Sequence, residues 1–100
     1  MAGDEGVLQI VAGPGGSLVL GGELDATTAP ALDARLTDLA IGAVDLGAVT
    51  FIDSAGLRSL VHAHHVRLEA GSSLTLQNPT SAARRLFALT GLTGHLDITP

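Results

Sequence analysis

Apolar and polar positions alternate in short runs over the first quarter of the chain. An apolar run at residues 7–12 is followed by glycines and a proline at 13–16, and then by a second apolar run at 17–20. Two such runs around a Gly/Pro segment are typical of a β-hairpin. The glycine pair at 21–22 is expected to end the second strand.

Leucines at helical spacing predict a helix over residues 29–40. Its apolar stripe consists of Leu32, Leu36 and Leu39. Thr27 or Thr28 can cap the helix, and Pro30 falls in its first turn, where the missing N–H does no harm.

The rest of the chain alternates predicted strands with predicted helices. The strands are 43–46, extended or followed by 49–52, then 73–77 and 96–98; the helices are 55–70 and 78–90. Their expected inner faces are Leu57, Leu60, Val61, His64 and Leu68 in the first, and Ala83, Leu86, Phe87 and Leu89 in the second. The order β-β-α-β-α-β-α-β predicts an α/β fold with a mixed sheet, parallel strand pairs and crossover helices.

Composition and charge narrow the classes of function. The 100 residues are enough for one domain, which we assign to 1–100 with a core at about 7–98. A net charge of −5 and two aromatic residues argue against nucleic-acid binding. The absence of cysteine excludes disulfides, thiolate zinc sites and cysteine catalysis, and predicts a cytoplasmic location. The acidic start predicts no signal peptide, and no apolar stretch is long enough to span a membrane.

Two groups of residues resemble ligand sites, but each has a simpler interpretation. Residues 12–16 look like a phosphate loop, yet they lack its lysine and hydroxyl residue, so a hairpin turn is favoured. His62, His65 and Glu69 share a helix face, but the sequence offers no further convergent ligands for zinc. A solvated face with His64 turned inward is favoured, and we expect no metal and no cofactor. The Arg84–Arg85 pair is interpreted as a solvated face.

Serine hydrolysis is a third possibility that the spacing disfavours. Ser54 and His62 lie about 12 Å apart along one helix, too far for a hydrogen bond. His95 is the other histidine that could pair with Ser54, but no oxyanion hole can be identified. We therefore expect a protein that is not an enzyme.

The segment Asp53-Ser54-Ala55-Gly56-Leu57 joins a predicted strand to a predicted helix. One interpretation is purely structural: Asp53 or Ser54 caps the helix by accepting from free backbone N–H groups. The other is functional, because a serine in the first turn lies where a helix favours negative charge. Such a serine can accept a phosphoryl group without disrupting the helix.

The segment that ends in these residues, VDLGAVTFIDSAGL at 44–57, resembles the signature of STAS domains of bacterial anti-sigma factor antagonists. Two further blocks agree with it. GELD at 22–25 with TAPAL at 28–32 resembles the family's entry to its first helix, and NP at 78–79 with RRLFALTGL at 84–92 resembles its third-helix block. The resemblance covers residues 7–98 and implies a four- to five-stranded mixed sheet with helices largely on one side.

The resemblance also implies a function. In this family the serine after the aspartate, here Ser54, is phosphorylated by a partner that is both anti-sigma factor and serine kinase. The unphosphorylated antagonist binds that partner and releases a sigma factor; a phosphatase reverses the modification. The implied partner-binding residues are Glu23, Asp25, Asp53, Ser54, Ala55, Gly56 and Arg58, and Arg58 stands where many members have glycine.

Two hypotheses follow for the function. The leading one is an antagonist switched off by phosphorylation of Ser54, with no nucleic acid or membrane as partner. The alternative is a structural subunit of a larger complex, in a stress-sensing assembly or associated with a transporter, in which Ser54 is only a helix cap. Dependence of binding on the state of Ser54 distinguishes them.

Overall fold

A five-stranded sheet and three helices make up the fold. The computed structural model describes residues 7–92 and 96–99. The strands are β1 (Leu8–Ala12), β2 (Ser17–Leu24), β3 (Ala43–Ile52), β4 (Thr75–Gln77) and β5 (Asp97–Thr99). The helices are α1 (Ala29–Arg35), α2 (Ser54–Glu69) and α3 (Ser81–Leu89), and a short 3₁₀ turn, Pro14–Gly16, closes the hairpin.

The strands lie side by side in the order in which they follow one another along the chain. β1 and β2 pair antiparallel, whereas the pairs β2–β3, β3–β4 and β4–β5 are parallel. One helix connects the two strands of each parallel pair, and each connection leads to the next strand in the same direction across the sheet. Because such crossovers are right-handed, all three helices lie on one face of the sheet.

The core lies between this face and the helices. Along β3, Val44, Leu46 and Val49 are buried, whereas Thr50 and Phe51, where the register against β2 is irregular, are exposed. The buried cluster continues into the neighbouring strands and helices through Leu18, Leu20, Leu24, Leu32, Leu57, Leu60, Leu74, Leu76, Ala83 and Phe87. The alternation explains why strands with one apolar face form here.

Two strands differ from their predicted bounds. The glycine pair does not end β2, which runs on to Leu24 beside β3. Gly22 has a φ of +99°, and a Cβ there would lie 2.5 Å from the carbonyl oxygen of Val7, so only glycine fits this close approach of β1 and β2. The two predicted pieces at 43–46 and 49–52 form one strand, β3, whose pairing with β2 has two register irregularities.

Three leucines expected inside lie at the surface. Helix α1 ends at Arg35 instead of residue 40, so Leu39 falls in the following connection. Leu68 and Leu89 are 52% and 78% exposed. Successive helical residues are about 100° apart, so Leu89 points away from buried Phe87, and α2 buries Arg67 instead of Leu68.

The cap of α1 also differs from expectation. Thr28 occupies the N-cap position, but its hydroxyl donates to the Glu23 carbonyl at 2.8 Å and accepts from the Asp25 N–H at 3.0 Å. The carboxylate of Asp25 accepts instead from the N–H groups of Thr27 and Thr28. In the described part of the chain, no helix has the length and apolar character that crossing a membrane requires.

Candidate functional site

The turn between β3 and α2 is held by Asp53. Its backbone is extended, and its Oδ1 accepts from the N–H of Gly56 at 3.0 Å, which makes Asp53 the N-cap of α2. Its own N–H donates to the Leu24 carbonyl at 3.2 Å, so the turn is tied to the end of β2. Of the two residues that the sequence offered as a cap, Asp53 has this role.

Ser54 is the first residue of α2, and its side chain is exposed. Within residues 7–92 and 96–99, its hydroxyl has no hydrogen-bond partner. The interpretation of Ser54 as a helix cap is therefore wrong. The hydroxyl lies at the positive end of a 16-residue helix and is open to solvent and to another protein.

Gly56 is buried against the end of β2. A Cβ at this position would lie 2.5 Å from the carbonyl oxygen of Leu24 and 2.7 Å from its Cγ. Because backbone cannot yield to such a contact, the first turn of α2 approaches β2 this closely only with glycine. Gly56, which the family resemblance implies as a partner-binding residue, therefore positions the turn. Half-buried Ala55 precedes it.

The two acidic residues at the end of β2 lie beside this turn. Glu23 is level with Phe51 of β3, and Leu24 is level with Ile52, so the two parallel strands end at the same edge of the sheet. Asp25 and Asp53 follow these strands directly. The structure thus brings together at one edge Glu23, Asp25, Asp53 and Ser54, four of the residues that the family resemblance implies for partner binding.

Asp25 has a structural role as well as a charge. Its Oδ1 accepts from the N–H of Thr27 at 2.9 Å and from that of Thr28 at 3.1 Å. These bonds order the connection from β2 to α1, where Asp25 is half-buried. Replacing Asp25 with alanine therefore changes the turn as well as the surface charge.

Arg58 lies one turn into α2, and it is exposed. It lines a shallow groove of about 270 Å³ together with Ser54, Leu57, Val61, Thr90 and Leu92. The floor of the groove is apolar, and the end of α3 forms its far wall. The sequence alone does not identify Thr90 and Leu92 as part of this groove, because no pattern in the chain marks residues that meet only across the fold.

The histidines of α2 do not form a metal site. His62 and His65 are exposed, while His64 is buried and accepts at Nδ1 from the N–H of Leu74 at 3.3 Å. Among residues 7–92 and 96–99, no cluster of three histidine or acidic side chains could hold a metal ion. His95, the remaining candidate partner for a serine nucleophile, lies outside the described residues.

Comparison with known proteins agrees with this geometry. Residues 11–100 match the family model described as "Mlab, STAS domain". The chain belongs to the STAS domain family. One STAS relative, the anti-sigma-B factor antagonist of Bacillus subtilis (strain 168), is 36% identical over 84 residues, which cover 80% of this chain and 77% of the relative.

Solved STAS structures have the same fold. An anti-sigma factor antagonist from Mycobacterium paratuberculosis has a TM-score of 0.77 and 28% identity, covering 97% of this chain and 87% of that one. The antagonist SpoIIAA in its unphosphorylated form has a TM-score of 0.68 and 18% identity, covering 94% and 88%. SpoIIAA from Bacillus is also known in a phosphorylated form. The expected mixed sheet with helices on one side is confirmed.

Proposed function

We propose that this STAS domain is an anti-sigma factor antagonist whose binding is switched off by phosphorylation of Ser54. The partner is an anti-sigma factor with serine kinase activity, and binding releases the sigma factor. The observation that carries the proposal is the free, exposed hydroxyl of Ser54 at the start of α2, beside a cap made by Asp53. The names of the relatives support the choice of partner.

The free hydroxyl suits Ser54 as a phosphoryl acceptor. Its Oγ attacks the terminal phosphorus of ATP held by the kinase, the bond from that phosphorus to the ADP oxygen breaks, and the hydroxyl proton passes to a base of the kinase. Because Ser54 does not cap the helix, the transfer breaks no hydrogen bond among the described residues. The product places negative charge at the positive end of α2, where the fold tolerates it.

The effect on binding follows from the charges around Ser54. Glu23, Asp25 and Asp53 already make this edge of the sheet acidic, which favours a basic surface on the partner. A phosphate adds about −1.5 to −2 charges, with bulk and a shell of water that the interface must displace. Removal of the phosphate by a phosphatase restores the original surface. The domain itself performs no chemistry and acts in the cytoplasm.

The proposed surface includes the exposed side of α2 near its start. Ser54 and Arg58 are exposed there, and Ala55 is half-buried. Buried Gly56 contributes by holding the turn against Leu24. The proposed contacts are therefore Glu23, Asp25, Asp53, Ser54, Ala55 and Arg58.

A subunit role in a larger complex is the second candidate. The family match allows it, because the description of the family model gives a STAS domain and names no antagonist. In that case the same surface would bind its partner regardless of the state of Ser54. The two candidates differ in one measurable quantity, the dependence of affinity on the phosphate.

The test combines phosphorylation with binding. The protein and Ser54→Ala are incubated with ATP and the cognate anti-sigma kinase, and intact mass and peptide mapping locate the phosphate. Calorimetry then measures the affinity of each form. We expect one phosphate on Ser54, none on Ser54→Ala, and a loss of affinity of at least about tenfold on phosphorylation. Buried Ser59 serves as an internal control.

Two results would count against the proposal. A phosphate mapped to another serine, such as Ser72 or Ser81, would remove Ser54 from the switch. Tight binding that is the same with and without phosphate on Ser54 would favour the subunit role.

A further inference from the structure

Arg58 is positioned to bind a phosphate on Ser54. The two residues are four apart on α2, and both line the groove described above. Side chains at positions i and i+4 of a helix are neighbours, and helical side chains lean toward the N-terminus, so Arg58 leans toward Ser54. At this spacing a pair of opposite charges is more favourable when the anionic residue, here phosphorylated Ser54, precedes the cationic one, here Arg58.

The guanidinium of Arg58 is available for such a bond. Its side chain is exposed, and within the described ranges it makes no hydrogen bond and no ion pair. The other walls of the groove near it, Leu57, Val61, Thr90 and Leu92, carry no charge that could compete. Asp53 beside Ser54 is engaged as the cap through Oδ1.

We propose that Arg58 is the internal partner of phosphorylated Ser54: its guanidinium binds the phosphate across the mouth of the groove. This inference rests on the proposed function for the presence of the phosphate. One of the added negative charges is then offset within the domain. The switch acquires a second component, because the guanidinium is withdrawn from the surface that faces the partner.

The pairing would set the charge and the lifetime of the switched state. A phosphate held by an arginine and by the start of a helix is stabilised from two sides. We therefore expect Arg58 to stabilise the phosphorylated domain more than the unphosphorylated one. A phosphatase must also displace Arg58 before it reaches the phosphorus atom.

The experiment uses the protein with phosphoserine built in at position 54 during synthesis, so that no kinase or partner is involved. Four backgrounds are compared: unchanged, Arg58→Gln, Arg58→Lys and Arg84→Gln. Arg84 is the matched control, because it is an exposed arginine that lines a different groove with Phe87 and Ile98. Phosphorus NMR follows the second ionisation of the phosphate, and thermal unfolding is recorded with and without it.

The second pKa of the phosphate, ordinarily near 6, should lie about 0.3 unit lower in the unchanged protein than in Arg58→Gln. Arg84→Gln should match the unchanged protein, and Arg58→Lys should keep part of the shift. The difference should vanish at about 1 M salt, where exposed charges are screened. In the unchanged protein the Nε–H signal of Arg58 should move when the phosphate is present.

Two results together would overturn this inference. The second pKa of the phosphate would be the same in the unchanged protein and in Arg58→Gln, and the phosphate would leave the Nε–H signal of Arg58 unmoved. Because the phosphate is installed without an enzyme, that result says nothing against phosphorylation by a partner. Conversely, failure of the kinase to modify Ser54 would overturn the proposed switch and leave the measured pairing intact.

Discussion

The Nε–H of Arg67 donates to the carbonyl oxygen of Ile41 at 2.8 Å, although the two residues are 26 positions apart. The same guanidinium donates to the carbonyls of Ala63, Leu36 and Asp38 at 3.0–3.1 Å. Arg67 is fully buried, and burial lowers its pKa while the charge of Asp38 raises it. The guanidinium of Arg67 in α2 thus binds three backbone carbonyls of the connection between α1 and β3.

Arg67→Met should lower the free energy of unfolding by about 3 kcal/mol, because it removes the donor to the carbonyls of Leu36 and Ile41. Arg67→Lys should recover only part of this loss, since an ammonium cannot reproduce the planar fork of donors. Chemical denaturation measures both variants. The matched control is Arg35→Met at the exposed end of α1, which should change stability by less than about 0.5 kcal/mol.

The contribution of Arg67 should not depend on pH in the neutral range. A base whose pKa is lower in the folded state carries a constant penalty below that pKa, and stability rises only as the pH passes from the folded to the unfolded value. Even when burial lowers its pKa, an arginine keeps its charge through the neutral range, so the difference between the protein and Arg67→Met should stay level from about pH 6 to 9. A difference in stability that changes with pH in this range would show that the pKa of another group depends on Arg67.

Arg67 also shows what the sequence could not predict. The apolar spacing in α2 predicts Leu68 inside, and a charged residue next to it carries no signal of burial. The burial of Arg67 depends on carbonyls of the segment 36–41, and these become acceptors because α1 stops at Arg35. The order of the elements, by contrast, follows from local patterns and crossover rules, and it is confirmed.

Gly56→Ala should destabilise the domain by about 1–3 kcal/mol, because the new Cβ meets the backbone of Leu24 and the start of α2 must shift. Gly42→Ala is the matched control: nothing lies within 4 Å of a Cβ at Gly42, and its φ is not in the left-handed region. Thermal unfolding of the two variants should therefore differ clearly. Equal behaviour would mean that the turn can move away from β2 at little cost.

Substitutions at Asp53 and Ser54 should show by their effect on stability which of the two residues caps α2. Asp53→Ala removes the bond to the Gly56 N–H and should cost about 1 kcal/mol, whereas Asp53→Asn keeps an acceptor and should cost a few tenths. Ser54→Ala should stay within about 0.5 kcal/mol. Ser54→Asp should raise stability by about 0.3–1 kcal/mol through the helix dipole. A loss near 1 kcal/mol for Ser54→Ala in unfolding experiments would contradict the assignment of the cap.

The turn from β3 to α2 can be predicted because its signals are consecutive: an apolar run ends, an aspartate can cap, and a helical period begins. The sequence leaves open which of Asp53 and Ser54 is the cap, since both residue types favour that position. The groove at Ser54 cannot be predicted in this way. Its far wall comes from Thr90 and Leu92, which the chain brings near only through the packing of α3.

The acidic edge of the sheet, formed by Glu23, Asp25 and Asp53, should affect mainly the rate of encounter with a basic partner. Glu23→Gln and Asp25→Asn remove the charge but keep the size of each side chain, and asparagine keeps the oxygen that accepts from Thr27 and Thr28. In stopped-flow measurements with the proposed partner, an anti-sigma factor, at low salt, each change should slow association by about two- to fivefold and flatten its salt dependence. Dissociation should change less, because rim charges contribute little once the surfaces are in contact.

Glu69→Gln is the matched control for these rates. Glu69 is exposed at the last residue of α2, about 22 Å along the helix from Ser54. The comparison with Glu69→Gln is made at 0.1 M salt, where this separation exceeds two Debye lengths and the charge of Glu69 is screened from the proposed surface. Its removal changes the net charge by the same amount. If Glu69→Gln slowed association as much as Glu23→Gln, the acidic edge would act through total charge, and the partner would contact another part of the domain.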